Sequence, residues 1–77
     1  MIYDYIILHI WNLGGERHFT RGDYKFYEYA INKAIHHKLC KRTSWSFDEE
    51  TSCERCRIHL TKKGYKLAKD LEFIENI

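Results

Sequence analysis

Apolar positions fall into four runs separated by glycine or polar breaks. In the first, Ile2, Tyr3, Ile6, Ile7, Ile10 and Leu13 recur at helical spacing, and Gly14-Gly15 supplies a stop. Ile2, Ile6, Leu8 and Ile10 also fit a buried strand, but length and the glycine pair favour a helix from Ile2 to Leu13. The second run extends from Thr20 to about Lys38. Thr20 is placed as an N-cap, and Asp23 three residues on completes a near capping box. At 100° per residue Tyr24, Tyr27, Ile31, Ala34 and Ile35 share one face. Lys25, Tyr29, Lys33 and His36 gather opposite, with Asn32 at the edge and Phe26 and His37 on the other flank. One long helix fits this run, and so does a short helix followed by a second from about Tyr29.

The third run reads as a β-hairpin. Leu39–Phe47 and Cys53–Leu60 are rich in Thr, Trp, Phe and Ile, and they flank the polar tip Asp48-Glu49-Glu50-Thr51-Ser52. The fourth is a helix capped by Thr61, with Gly64, Leu67, Ala68, Leu71 and Ile74 as its stripe. Lys62 and Lys63 in its first turn oppose the helix dipole, so a compensating partner is expected. The expected fold class is α+β, mostly α, as one small domain ordered helix–helix–β-hairpin–helix.

Length and composition narrow the functional classes. The chain has 77 residues, 44% apolar and 31% charged, which suits a small globular domain but leaves no room for a cofactor-binding α/β enzyme. The longest strongly apolar stretch, Tyr5 to Trp11, is broken by His9 and falls far short of the roughly 20 residues of a membrane span. Asp4 stands where a secretory signal would carry positive charge. Three cysteines are an odd number and cannot all pair within one chain, so a reducing, cytoplasmic setting is the simplest expectation.

The stretch from Ile31 to Leu71 resembles the second half of a winged-helix DNA-binding domain of the MarR-like and PadR-like kind. The similarity is carried by the step His37-Lys38-Leu39-Cys40-Lys41-Arg42 at the end of a helix and by the hairpin after it. Its most specific part is the strand-to-helix junction Arg57-Ile58-His59-Leu60-Thr61-Lys62-Lys63-Gly64-Tyr65-Lys66-Leu67-Ala68. The resemblance implies that the second helix supplies groove-facing side chains, that the hairpin touches flanking phosphates, and that the chain works as a transcription regulator. Small, tyrosine-rich proteins of this kind are frequent in viruses and plasmids, so a mobile-element origin fits the resemblance.

The residues themselves agree in part. No acid occurs from Tyr29 to Phe47, a stretch holding Lys33, Lys38, Lys41 and Arg42. Clustered cations of this kind suit phosphate contact, because each neutralised phosphate releases a counterion. The expected DNA contacts are Arg21, Lys25, Tyr29, Asn32, Lys33, His36, His37, Lys41, Arg42 and Arg55. The acidic tip Asp48-Glu49-Glu50 disagrees, since carboxylates are repelled by phosphates. It supports an alternative, a protein-interaction module on the same scaffold that binds a protein partner through this tip and through Phe26, Tyr29 and Trp45. Under the DNA reading a homodimer on paired half-sites is expected, with Tyr3, Trp11, Tyr65 and Phe73 at its interface.

Cys53-Glu54-Arg55-Cys56, with Cys40 and His59, has the composition of a zinc site. The hairpin register argues against it. With the loop centred on Glu50, Cys40 pairs near Leu60, about 20 Å along the ladder from Cys53. Cys40 then reads as a small buried apolar residue, and neither a metal nor another cofactor is expected. His36 and His37 point about 100° apart on a helix and cannot share an ion. His9 reads as a partly buried, hydrogen-bonded side chain. The carboxylates cluster at an exposed turn and no Gly-rich phosphate loop exists, so no enzymatic activity is expected.

Overall fold

The computed structural model describes residues 1–75, with side chains to residue 73. It shows a mixed α+β fold, predominantly helical, with a small open sheet. Its elements are α1 (Asp4–Asn12), β1 (Glu16–Thr20), α2 (Arg21–His36), β2 (Cys40–Arg42), β3 (Ser46–Asp48), β4 (Cys53–Leu60) and α3 (Lys62–Glu75). The second run is one helix, so the two-helix option for it is excluded. Ile74, the last member of the expected α3 stripe, has its side chain outside the described residues.

Strand β1 corrects the expected order of elements, which had no strand between the first two helices. It pairs antiparallel with β4 from Glu16↔His59 to Thr20↔Arg55. Its sequence, Glu-Arg-His-Phe-Thr, has one apolar side chain, so the alternation that normally marks a strand is nearly absent. Phe19 alone anchors it, fully buried, with the Arg17 guanidinium 4.3 Å over its ring. Arg17 also reaches half-buried His9 at 3.0 Å. Burial and the Arg17 charge both push the His9 pKa down.

Both of the first two helices end in the same hydrogen-bond pattern. At α1 Gly15 N donates to Ile10 O and Gly14 N to Trp11 O; at α2 Leu39 N donates to Ala34 O and Lys38 N to Ile35 O. These are Schellman caps, whose residue after the cap must be left-handed. Gly14 meets that need at φ 91°, as the sequence indicates, whereas Lys38 meets it at φ 61° with a full side chain. At the start of α2, Thr20 Oγ1 accepts from Asp23 N at 3.2 Å, as expected.

Strand β4 is the centre of the sheet. β1 lies along one edge of it, and β2 and β3 share the other. Cys40 pairs with Leu60, as the hairpin reading anticipates. The partner numbers sum to 100 along β2 and to 101 along β3, so the expected strand from Leu39 to Phe47 is interrupted by one extra residue. Thr43, Ser44 and Trp45 face only Cys56 and Arg57, which is a β-bulge. Thr43 bridges the gap: its N donates to Arg57 O and its Oγ1 accepts from Arg57 N, both at 2.9 Å.

Cys56, Ile58 and Leu60 of β4 point toward the helices, together with Phe19, and are buried with Ile6, Ile7, Ile10, Ile31 and Ala34. Of the expected α2 face, Tyr24, Ile31 and Ala34 are buried, and Tyr27 and Ile35 pack against the core. The opposite face of the sheet, with His18, Lys41, Arg55, Arg57 and His59 in register, carries no helix.

A close backbone contact joins α3 to the end of α2. Thr61 Oγ1 donates to Lys38 O, Thr61 N donates to Leu39 O, and Gly64 N donates to Thr61 Oγ1. A Cβ on Gly64 would collide with the Leu39 carbonyl oxygen, whereas one on Gly22, in the first turn of α2, would meet open space. Gly64→Ala is therefore expected to cost about 1–3 kcal/mol of stability, by overpacking against an immovable backbone. Gly22→Ala is expected to add about 0.5–1 kcal/mol through helix propensity. Urea unfolding of both variants checks the opposed signs.

Candidate nucleic-acid interface

The exposed face of α2 begins at Arg21 and continues through Lys25, Tyr29, Asn32, Lys33 and His36, all open to solvent. Beside its first half the bulge changes what the hairpin presents. An uninterrupted strand would carry the Arg42 register forward; the extra residue re-aims Trp45 against α2. Trp45 meets Tyr24 edge-on, with centroids 5.4 Å apart, and Arg21 stacks on its ring at 3.8 Å. Arg21 Nε also donates to Glu54 on β4 at 2.7 Å. A depression of about 320 Å³ results, lined by Arg21, Tyr24, Lys25, Glu28, Arg42 and Trp45.

Arg42 closes this depression from β2. Its guanidinium donates to Tyr24 Oη at 3.0 Å, and Tyr24 Oη donates to Asn32 Oδ1 at 2.8 Å. The chain of bonds fixes the Asn32 amide through its oxygen, and its NH2 group takes no partner among the described residues. It also holds a cation beside the helix with no carboxylate as partner. Such a surface offers point and forked donors for phosphate oxygens and an amide able to read a base edge.

The structure gathers Arg21, Lys25 and Arg42 of the expected contacts around one depression, which Glu28 also lines, and ties Asn32 to it through the Tyr24 hydroxyl. Tyr29 and Lys33 lie together on the adjoining flank of α2, with the Lys33 ammonium 5.6 Å from the Tyr29 ring centroid. His36 and His37 are at the end of the helix. His37 packs on Tyr3 with centroids 5.2 Å apart, and its carbonyl accepts from Lys63 Nζ at 3.1 Å. That bond is the compensating partner expected for the α3 lysines, the terminal carbonyls of α2 drawing the ammonium in.

Arg55 is not part of this group. It projects from the helix-free face of the sheet and pairs with Asp48 at 3.4 Å. Asp48 also accepts from Glu50 N through Oδ1, so one of the three tip acids is held within the hairpin. Trp45 as part of the basic depression, and Glu54 as the neutralising partner of Arg21, escape sequence reasoning because nothing in the residues Thr43-Ser44-Trp45 marks a bulge.

The aromatics expected at a dimer interface are mostly turned inward. Tyr3 is buried, and Trp11 donates through Nε1 to Glu72 Oε2 at 2.8 Å while meeting Tyr65 edge-on at 5.6 Å. The Tyr65 ring also lies against Gly15. These contacts bind α1 to α3 within one chain; Phe73 alone of the four stays largely exposed, at 70%.

Cys40 and Cys53 sit at opposite ends of the β4 ladder, opposite Leu60 and Asp48. Cys56 points into the core and His59 to the helix-free face, so these four residues do not converge. Among the described residues no group of three His, Cys, Asp or Glu side chains is placed to hold a metal ion. Nor is any described helix long and apolar enough to cross a membrane. Comparison with protein-family models, with curated proteins and with solved structures finds no match to this chain.

Burial pushes the Cys40 thiol up to about 11, and burial, outweighing nearby Arg42 and Arg21, raises Cys56 as well. At pH 8 Cys40 is then thiolate in only about one molecule in a thousand. Ellman's reagent is expected to label half-buried Cys53 first in the native protein, and Cys40 and Cys56 only on unfolding. Rapid native labelling of two or more thiols would contradict the buried positions.

Proposed function

We propose that the chain is a small winged-helix DNA-binding protein, a transcription regulator that lays the exposed face of α2 against duplex DNA. The observation that carries this reading is the convergence of Lys25, Asn32 and Arg42 on one side of α2, with Lys33 on its flank. None of these three cations is held in a salt bridge among the described residues. The Tyr24-fixed Asn32 amide and the Arg42 fork are the candidates for base-edge and backbone contacts, and Lys25 and Lys33 are candidates for phosphate contacts. The hairpin then stands beside the duplex with its acidic tip, Glu49 and Glu50, directed away from phosphates. That tip, next to Phe47 at 63% exposure, is the feature that favours the second reading, a module binding a basic protein partner.

Fluorescence anisotropy with a random-sequence duplex over a salt series tests the first reading. Binding is expected, with log affinity falling against log salt at a slope between about −3 and −5, for three to six phosphates. Lys25→Glu with Lys33→Glu should lower affinity at least about tenfold and flatten the slope by about two or more. Absence of binding at about 50 mM salt would pass the lead to the acidic tip.

The dimer belongs to the same proposal, with its surface moved. Met1, Tyr5, Leu8 and Leu71 line a depression of about 660 Å³ between α1 and α3 together with Asp4, His9 and Asn12, and Phe73 is exposed further along α3. The exposed apolar side chains of these two helix ends, Met1, Tyr5 and Phe73, rather than Tyr3, Trp11 and Tyr65, are the proposed two-fold contact. Light scattering at micromolar concentration should give twice the chain mass for the native protein and a single mass for Tyr5→Glu with Phe73→Glu. An unchanged mass would reject the surface.

A further inference from the structure

The depression beside α2 does not end at Arg42. A second one, about 430 Å³, is lined by Ile35, Lys38, Cys40, Lys41, Arg42 and Thr61, so Arg42 belongs to both. At its far end Thr61 leads into α3, whose first residue is the exposed Lys62. Side chains on a helix lean toward its N-terminus, so Lys62 inclines back over this end of the molecule. The path follows the side of α2 from Arg21 to Ile35, a length of about 21 Å at 1.5 Å per residue.

Three elements therefore send cations to one line: Lys25 from α2, Arg42 from β2 and Lys62 from α3, with Lys38 between α2 and β2, whereas Lys41 alternates to the helix-free face of the sheet. Among the described residues none of the four on the line takes part in a salt bridge. The arrangement is costly in isolation. Lys62 adds positive charge at the positive end of the α3 dipole, and Lys38 holds a side chain in a left-handed position where glycine is the usual residue. Lys63 is different, because its ammonium is engaged by the terminal carbonyl of α2. A ligand with regularly spaced negative charges offsets the first cost and gives the Lys38 ammonium a partner. One strand of a duplex carries a charge per 3.4 Å of axis, or about six over this length.

We infer that the backbone of one DNA strand lies along this line, over Arg42 and Lys38 to Lys62, extending contact beyond α2 to the start of α3. The inference rests on the DNA reading above. It adds Lys38 and Lys62 as backbone contacts that position the duplex without reading its sequence.

The test repeats the salt series on the full chain with Lys38→Asn plus Lys62→Gln. Asparagine tolerates the left-handed position, and neither change touches the Lys63 bond, so the fold is preserved; an unchanged thermal melt confirms it. The expected result is a slope flattened by about two and affinity reduced about tenfold at 0.15 M salt, equally for every duplex sequence. Lys69→Gln with Arg57→Gln removes the same charge elsewhere and should leave the slope as it is. If the double variant keeps the native slope while Lys25→Glu with Lys33→Glu weakens binding, the extended line is wrong and the α2 interface stands. If the native protein binds no duplex, the DNA reading falls and takes this inference with it.

Discussion

Everything in this fold hangs from the backbone contact between Leu39 and Gly64. The chain leaves α2 through the Lys38 turn, and the rest of the fold is organised by where it goes next. Because the Leu39 carbonyl accepts from Thr61 N, and the Lys38 carbonyl from Thr61 Oγ1, the end of α2 and the start of α3 are fixed to each other residue by residue. That join sets Cys40 opposite Leu60, and with it the register of the whole β2–β4 ladder. It also brings the lysines of α3 to the carbonyl end of α2. Only a residue without a side chain permits so close an approach, and Gly64 is that residue.

The basic surface is a product of the same join combined with a local irregularity. Register carries Arg42 to the Tyr24 hydroxyl, and the extra residue at Thr43–Trp45 swings an indole under Arg21. Packing and polar contacts are hard to separate here. Tyr24 is at once a core residue, the edge-on partner of Trp45 and the link between Arg42 and Asn32. A surface whose polar groups are held from the core side is already organised before any partner arrives, which lowers the entropy lost on binding.

How much of this was legible in the residues depended on whether a feature left a periodic or a glycine mark. The α2 face, the positions Tyr3, Ile6, Ile7 and Ile10, the Thr20 cap, the Gly14 stop and the pairing of Cys40 with Leu60 all follow from spacing, whereas Ile2 and Leu13, expected on the first stripe, lie exposed just outside α1. Strand β1 does not, because four of its five side chains are polar and its place in the sheet comes from Phe19 and from pairing with a strand some forty residues later. The bulge carries no glycine and the α2 cap uses lysine, so neither shows a signature. The inward turn of Trp11 and Tyr65 was hidden for a further reason. Each lies off its own helix's stripe, and only the crossing of α1 and α3 makes those two flanks meet. The exposed polar face of α2 was thus legible from spacing, while Trp45 beside it and the Arg21–Glu54 pair were not.

The central position of β4 governs how the chain can reach this state. Among the described residues β1, β2 and β3 each pair with β4 and with no other strand. During vectorial synthesis all three are therefore made before their only partner, while α1 and α2 can already close their local hydrogen bonds. Once Leu60 has emerged, three separate segments acquire their ladders against a single template. Sheet assembly is then one cooperative event dominated by contacts distant in sequence, and its rate is set by loop closure rather than by the formation of either early helix.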